Sequence, residues 1–190
     1  LTSEGGSKPY DGQPLTKPDV TVDGEGFVAG EVTNIRATGT ITDVGTVTNT
    51  IDYEKSANFK ESNYAIAKEE GKLTITPLDG VVVKITGNKV TETYDGTEKT
   101  AKDYTVSISN TLYTENDFTF GGNAEVKKTD AGTYAMGLKA TDFKNNDNNN
   151  FANVTFEVVE DGQLVINPRS VTLTSEGGSK PYDGQPLTKP

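Results

Sequence analysis

The chain has 190 residues, with 18 Lys plus Arg against 28 Asp plus Glu, and it contains neither Cys nor His. A formal net charge of -10 without any basic stripe excludes a phosphate-gripping nucleic-acid surface. The missing Cys and His exclude disulfides, thiolate metal sites and Ser-His or Cys-His nucleophiles. No apolar run approaches the roughly 20 residues of a membrane helix and no charged-then-apolar leader opens the sequence, so these residues are read as making no membrane contact.

Residues 1–18, LTSEGGSKPYDGQPLTKP, recur letter for letter at 173–190. Identity over such a length marks a tandem array, and the chain reads as one full unit followed by the start of the next. A weaker repeat lies inside the unit. Tyr10-Asp11-Gly12 returns at Tyr94-Asp95-Gly96 and at Tyr182-Asp183-Gly184, and Asp43-Val44-Gly45-Thr46 returns as Asp130-Ala131-Gly132-Thr133. Gly71-Lys72-Leu73-Thr74-Ile75-Thr76-Pro77 returns as Gly162-Gln163-Leu164-Val165-Ile166-Asn167-Pro168. Three landmarks in the same order predict two diverged modules: A over 1–78, B over 79–168, and the opening of the next A over 169–190.

Within each module the apolar period is two. Val20 and Val22, Leu73 and Ile75, Val106 and Ile108, Phe118 and Phe120, Tyr134 with Met136 and Leu138, and Val154 with Phe156 and Val158 alternate with polar or small residues. That is the pattern of strands with one buried face. Asp-Gly at 11, 23, 79, 95 and 161 and Gly-Gly at 5, 121 and 177 supply turns between them. Gly24-Glu25-Gly26 lacks the Lys and the glycine spacing of a phosphate loop and reads as a turn. The stretch 54–70 is charged, and a loop or one short helical turn suits it.

Glycine tolerates positive φ and Asp bonds its own backbone, so Tyr-Asp-Gly is expected to end a strand with its ring turned inward. Leu-x-Ile-x-Pro closes each module on a strand, with Pro77 and Pro168 opening short, stiff linkers. Arg169-Ser170-Val171-Thr172-Leu173 alternates like an opening strand, and residues 169–190 are expected either to lack order or to pair with a sheet edge, their own or a neighbour's. Asp130 to Tyr134 resembles the tyrosine corner of immunoglobulin-like sandwiches, in which a Tyr hydroxyl turns back onto the preceding backbone. Module A has Val47 at the matching place.

SKPYDGQPLT, GFVAGEVTNIRATGTITDVGTVTNTI and NYAIAKEEGKLTITP resemble the YDG and MBG repeat modules of bacterial surface proteins, chiefly Gram-positive, over most of module A. Module B resembles the broader bacterial Ig-like repeats. The resemblance implies a stalk or adhesive segment and supplies no catalytic residues. The fold expected is all-β, two Ig-like sandwiches in a row, with a β-grasp sheet carrying one helix as the alternative for module A.

Candidate sites are few. The stretch 142–151 (DFKNNDNNNF) is rich in carboxylate and amide oxygens but lacks the glycine and closing Glu of a calcium loop, and reads as a polar hairpin or crossover. Glu4, Asp11 and Asp19 have the chemistry for a calcium ion between modules, and lysine and asparagine are plentiful enough for an isopeptide cross-link; no motif points to either. Carboxylate pairs for glycoside hydrolysis are inevitable in so acidic a chain, but small aromatic-poor β modules offer no deep cleft, and no enzyme is expected. Two functions remain. One is a spacer that projects a distal domain from the bacterial cell wall, a monomer whose partners are its own neighbouring repeats and whose acidic surface holds rods apart. The other is a module that grips host glycans or proteins weakly and many times over, for which Tyr53, Phe59, Tyr64 and Tyr113 are the ring candidates if exposed.

Overall fold

The computed structural model describes residues 1–147 and 150–188. The chain is all-β and sandwich-like, built of short strands in open sheets. Among the described residues there is no α-helix; three single turns of 3-10 helix, Glu61–Asn63, Glu115–Asp117 and Ala140–Asp142, are the only helical pieces. The first of these lies in the charged 54–70 stretch, and without a longer helix there the β-grasp alternative for module A fails.

Every ladder joins residues within 2–76 or within 78–167. Leu78–Asp79 pairs with Phe151–Ala152, so Leu78 goes with the second set and the change of partners falls at Pro77. The two sets repeat one wiring. Gly6–Pro9 lies parallel to Lys72–Thr76, which is antiparallel to Gly45–Thr48; Lys89–Thr93 lies parallel to Gln163–Asn167, which is antiparallel to Gly132–Ala135. Leu15–Thr16 pairs with Thr40–Ile41 as Lys99–Lys102 pairs with Glu125–Lys128.

The alternation chooses the core. Leu73 and Ile75 in the first set, and Leu164 and Ile166 in the second, are at most 2% exposed, while their neighbours in the strand turn outward or to a sheet partner. The landmark glycine before each of these strands has a steric reason. A Cβ on Gly71 would strike the Glu4–Gly5 backbone, and one on Gly162 would meet the Met136 thioether. In the second set Val82–Gly87 runs between Tyr104–Ile108 and Thr155–Glu160, and its inward Val83 and Ile85 join Ala101, Tyr113, Phe118, Phe143 and others in one core of twelve buried apolar residues. The first set buries only Ala37, Ile51, Leu73 and Ile75 among its described apolar residues. At roughly 1.5–3 kcal/mol per buried aliphatic or Phe side chain, the second module has much the larger driving force.

Several strands are shorter than their apolar pattern. Val20–Thr21 stops before Val22, which is 39% exposed. Gly132–Ala135 stops before the buried Met136 and Leu138, where Gly137 takes φ 84 and the Asp161 carboxylate accepts from the Gly137 and Leu138 N–H groups. The tyrosine corner is present: the Tyr134 hydroxyl donates to the Asp130 carbonyl at 3.1 Å. Residues 168–188 are exposed and pair with no strand.

Candidate functional site

Two places on the molecule bring sequence landmarks together. The first is the contact between the two strand sets. Tyr10 follows Gly6–Pro9, where its N–H donates to Thr76 at 2.9 Å. Its ring meets Phe151 edge-on, 5.6 Å between centroids, and Phe151 in turn meets the buried Tyr113 at 4.9 Å. The ring of the Tyr-Asp-Gly motif is therefore not turned into its own module. It is turned onto the neighbour's core, because the Asp-Gly turn swings it past the strand end; the same tyrosine is 38% exposed at Tyr94 and 98% exposed at Tyr182, where nothing covers it. Asn150 supplies the polar half of the contact. Its side chain donates to Asp43 Oδ1 at 2.9 Å and accepts from the Val44 N–H at 2.8 Å, while its backbone carbonyl takes the Leu78 N–H at 2.9 Å, just past Pro77. Linker, turn and landmark loop thus meet on one amide.

The second place is a groove of about 560 Å³ on the first module, walled by residues 22–28 on one side and 63–67 on the other, with Leu1 at its end. Next to it four rings gather. Phe27 lies 5.7, 6.4 and 5.2 Å from Tyr53, Phe59 and Tyr64, and Phe59 stacks on Tyr64 at 5.4 Å. Lys55 sits 4.9 Å over Phe59 and Lys68 sits 5.0 Å over Tyr53. The Tyr64 hydroxyl donates to Glu31 at 2.7 Å, and that hydrogen bond to a carboxylate raises its pKa.

These contacts decide the ring candidates. Tyr53, Phe59 and Tyr64 are half-buried, with faces spent on one another and on lysines, and Tyr113 is 2% exposed in the core of the second module. Burial pushes the Tyr113 hydroxyl up to about 12, and it donates to Asn145 and Asp117. None of the four is an open stacking platform.

The acidic candidates are equally committed. Asp11 holds Lys8 at 2.7 Å and accepts from the Gln13 N–H at 2.9 Å, so its carboxyl sits below the ordinary value. Glu4 pairs with Lys17. In the 142–151 stretch Asn145 accepts from Tyr113, Asn146 donates to Asn116, Asn150 serves the contact above, and Asn148 and Asn149 lie outside the described residues. Among the described residues no three carboxylates converge into a cation-sized group. Asn150 is the residue that sequence reading placed in the wrong role, because a run of asparagines carries no mark of which one meets a partner.

Comparison with known families decides the second module: residues 81–168 match the MBG domain model. The chain carries an MBG domain. This is a bacterial Ig-like repeat module of the YDG type, and MBG domains occur in surface proteins. The match falls on the second module, whereas the quoted sequence landmarks lay chiefly in the first; the first repeats the MBG wiring strand for strand where their ladders correspond. No curated protein and no solved structure matches the chain. No helix among the described residues is long and apolar enough to cross a membrane.

Proposed function

We propose that the chain is a non-catalytic stalk segment of a bacterial surface adhesin, holding a distal functional domain away from a Gram-positive cell wall. The observation that carries this reading is the contact between the MBG domain and the module before it. An aromatic pair, three hydrogen bonds through Asn150 and a proline-bounded linker act together, so the modules are coupled rather than strung on a loose tether. The same face recurs one module on. Tyr94, Asp130 and Ala131, the counterparts of Tyr10, Asp43 and Val44, border an open hollow of about 420 Å³ beside Pro168 and Arg169. A face repeated at each module end supports a rod whose length grows with copy number.

Small-angle scattering on this chain and on one lengthened by a further unit tests the proposal. A maximum dimension that nearly doubles, unchanged by chelator because the contact is made of rings and amides, supports the stalk; a longer chain that stays compact overturns it.

A further inference from the structure

The groove on the first module occupies the place that Val82–Gly87 fills in the MBG domain. The register fixes this. Thr2 pairs with Thr21 and bridges Glu69 in parallel, as Thr86 pairs with Thr105 and Glu160. Leu1 is therefore the counterpart of Ile85, and the counterpart of Val83 falls inside the groove. The ladder runs up to its lip: the Leu1 ammonium donates to Ala67 at 2.9 Å and Leu1 accepts from the Glu69 N–H at 2.8 Å. Beyond Leu1, among the described residues, the walls at 22–26 and 64–66 make no backbone hydrogen bond across the gap. Two facing edges with unpaired peptide groups are a template for an added strand.

The sequence holds the strand that fits. Before the second copy of the eighteen residues stand Arg169, Ser170, Val171 and Thr172. In the shared register Val171 matches Val83 and Leu173 matches Ile85, both 0% exposed in the MBG core. Here Val171 is 75% and Leu173 is 92% exposed.

We propose that the groove is a strand acceptor and that the tail of a second copy of this chain fills it. Residues 173–190 of one copy replace the identical residues 1–18 of the other, and 170–172 run on into the groove, parallel to 64–67 and antiparallel to 22–26. The exchange remakes every contact of the displaced eighteen residues and adds ladder bonds and the burial of Val171. Each copy has an acceptor in its first module and a donor after its second. The contact is heterologous and propagates head to tail, placing an MBG domain before a first module as the array itself does. This inference does not depend on the stalk reading.

The test is the mass of the 190-residue chain in solution, unfolded and refolded over a wide range of concentration so that exchange is not kinetically blocked. Multiples of the chain mass that grow with concentration are expected. Val171→Glu, a change in the contact-free tail, should leave a monomer at every concentration with an unaltered unfolding midpoint. A chain with Arg-Ser-Val-Thr placed before Leu1 should also stay monomeric, its groove filled from within, and melt about 5 °C higher. A parent chain that is always monomeric, oligomers that survive Val171→Glu, or an extended chain that melts no higher would each overturn the proposal.

Discussion

The same eighteen residues occur in this molecule twice, in two environments. At 1–18 they form Thr2–Ser3, Gly6–Pro9 and Leu15–Thr16, each laid against a partner strand. Over 173–188 they form no strand. Yet the turn is alike in both. Lys8 and Lys180 bind Asp11 and Asp183, Gln13 and Gln185 donate to those carboxylates, and Gly12 and Gly184 take φ 74 and 72. The Tyr-Asp-Gly turn is thus made by neighbours in sequence, and the strands are made by neighbours in space. Asp95 repeats the turn in the MBG domain with Thr97 and Lys99.

The change that should most alter this contrast is Asn49→Ala. Asn49 is 0% exposed and its amide donates to the Glu4 and Lys17 carbonyls at 3.0 and 2.8 Å and accepts from the Gly39 N–H at 3.0 Å. Removing it strands buried backbone groups at a cost of about 3 kcal/mol. Denaturant unfolding should show the first module melting at lower denaturant while the MBG domain is unmoved; equal loss in both would show that the two fold as one unit.

A smaller effect separates the tyrosines. Tyr10→Ala removes the ring from Phe151 and should cost about 1–2 kcal/mol, whereas Tyr182→Ala should change stability by less than about 0.5 kcal/mol. Calorimetry of the two variants in dilute solution checks the pair, and equal effects would mean that the second copy also packs.

The smallest effect is electrostatic. In all three turns a lysine, then a neighbouring N–H or hydroxyl, stabilises the carboxylate, so Asp11, Asp95 and Asp183 ionise below the ordinary 3.8, Asp95 lowest. A depressed folded value means that the turn's contribution is whole above that ordinary value and fades as pH falls through the depressed one. Carboxyl NMR titration should find Asp183 as depressed as Asp11. An Asp183 that titrates normally would assign the turn to the module instead.

What could be read in the sequence follows the same division. The Asp-Gly turns, the Leu-x-Ile-x-Pro strands and the Tyr134 corner are local or strictly periodic, and they stand as expected. The parallel pairing of Gly6–Pro9 with Lys72–Thr76 was not legible, since a period of two names the buried face and not the partner. Nor was the role of Asn49, an isolated asparagine among threonines, or of Asn150, one amide in a polar run. The ring candidates failed for a related reason: spacing cannot tell an exposed aromatic from Tyr113, which anchors a core. The groove was half legible, because the repeat showed which residues precede the second copy but not which edges face each other.

Amide hydrogen exchange read residue by residue tests the central claim most directly. Ser3 and Tyr10, which donate to Glu69 and Thr76, should be protected while their counterparts Ser175 and Tyr182 exchange freely, and Gln13 and Gln185 should show similar modest protection. Equal protection of Tyr10 and Tyr182 in dilute monomer would contradict the account, for it would mean that these eighteen residues carry their strands with them.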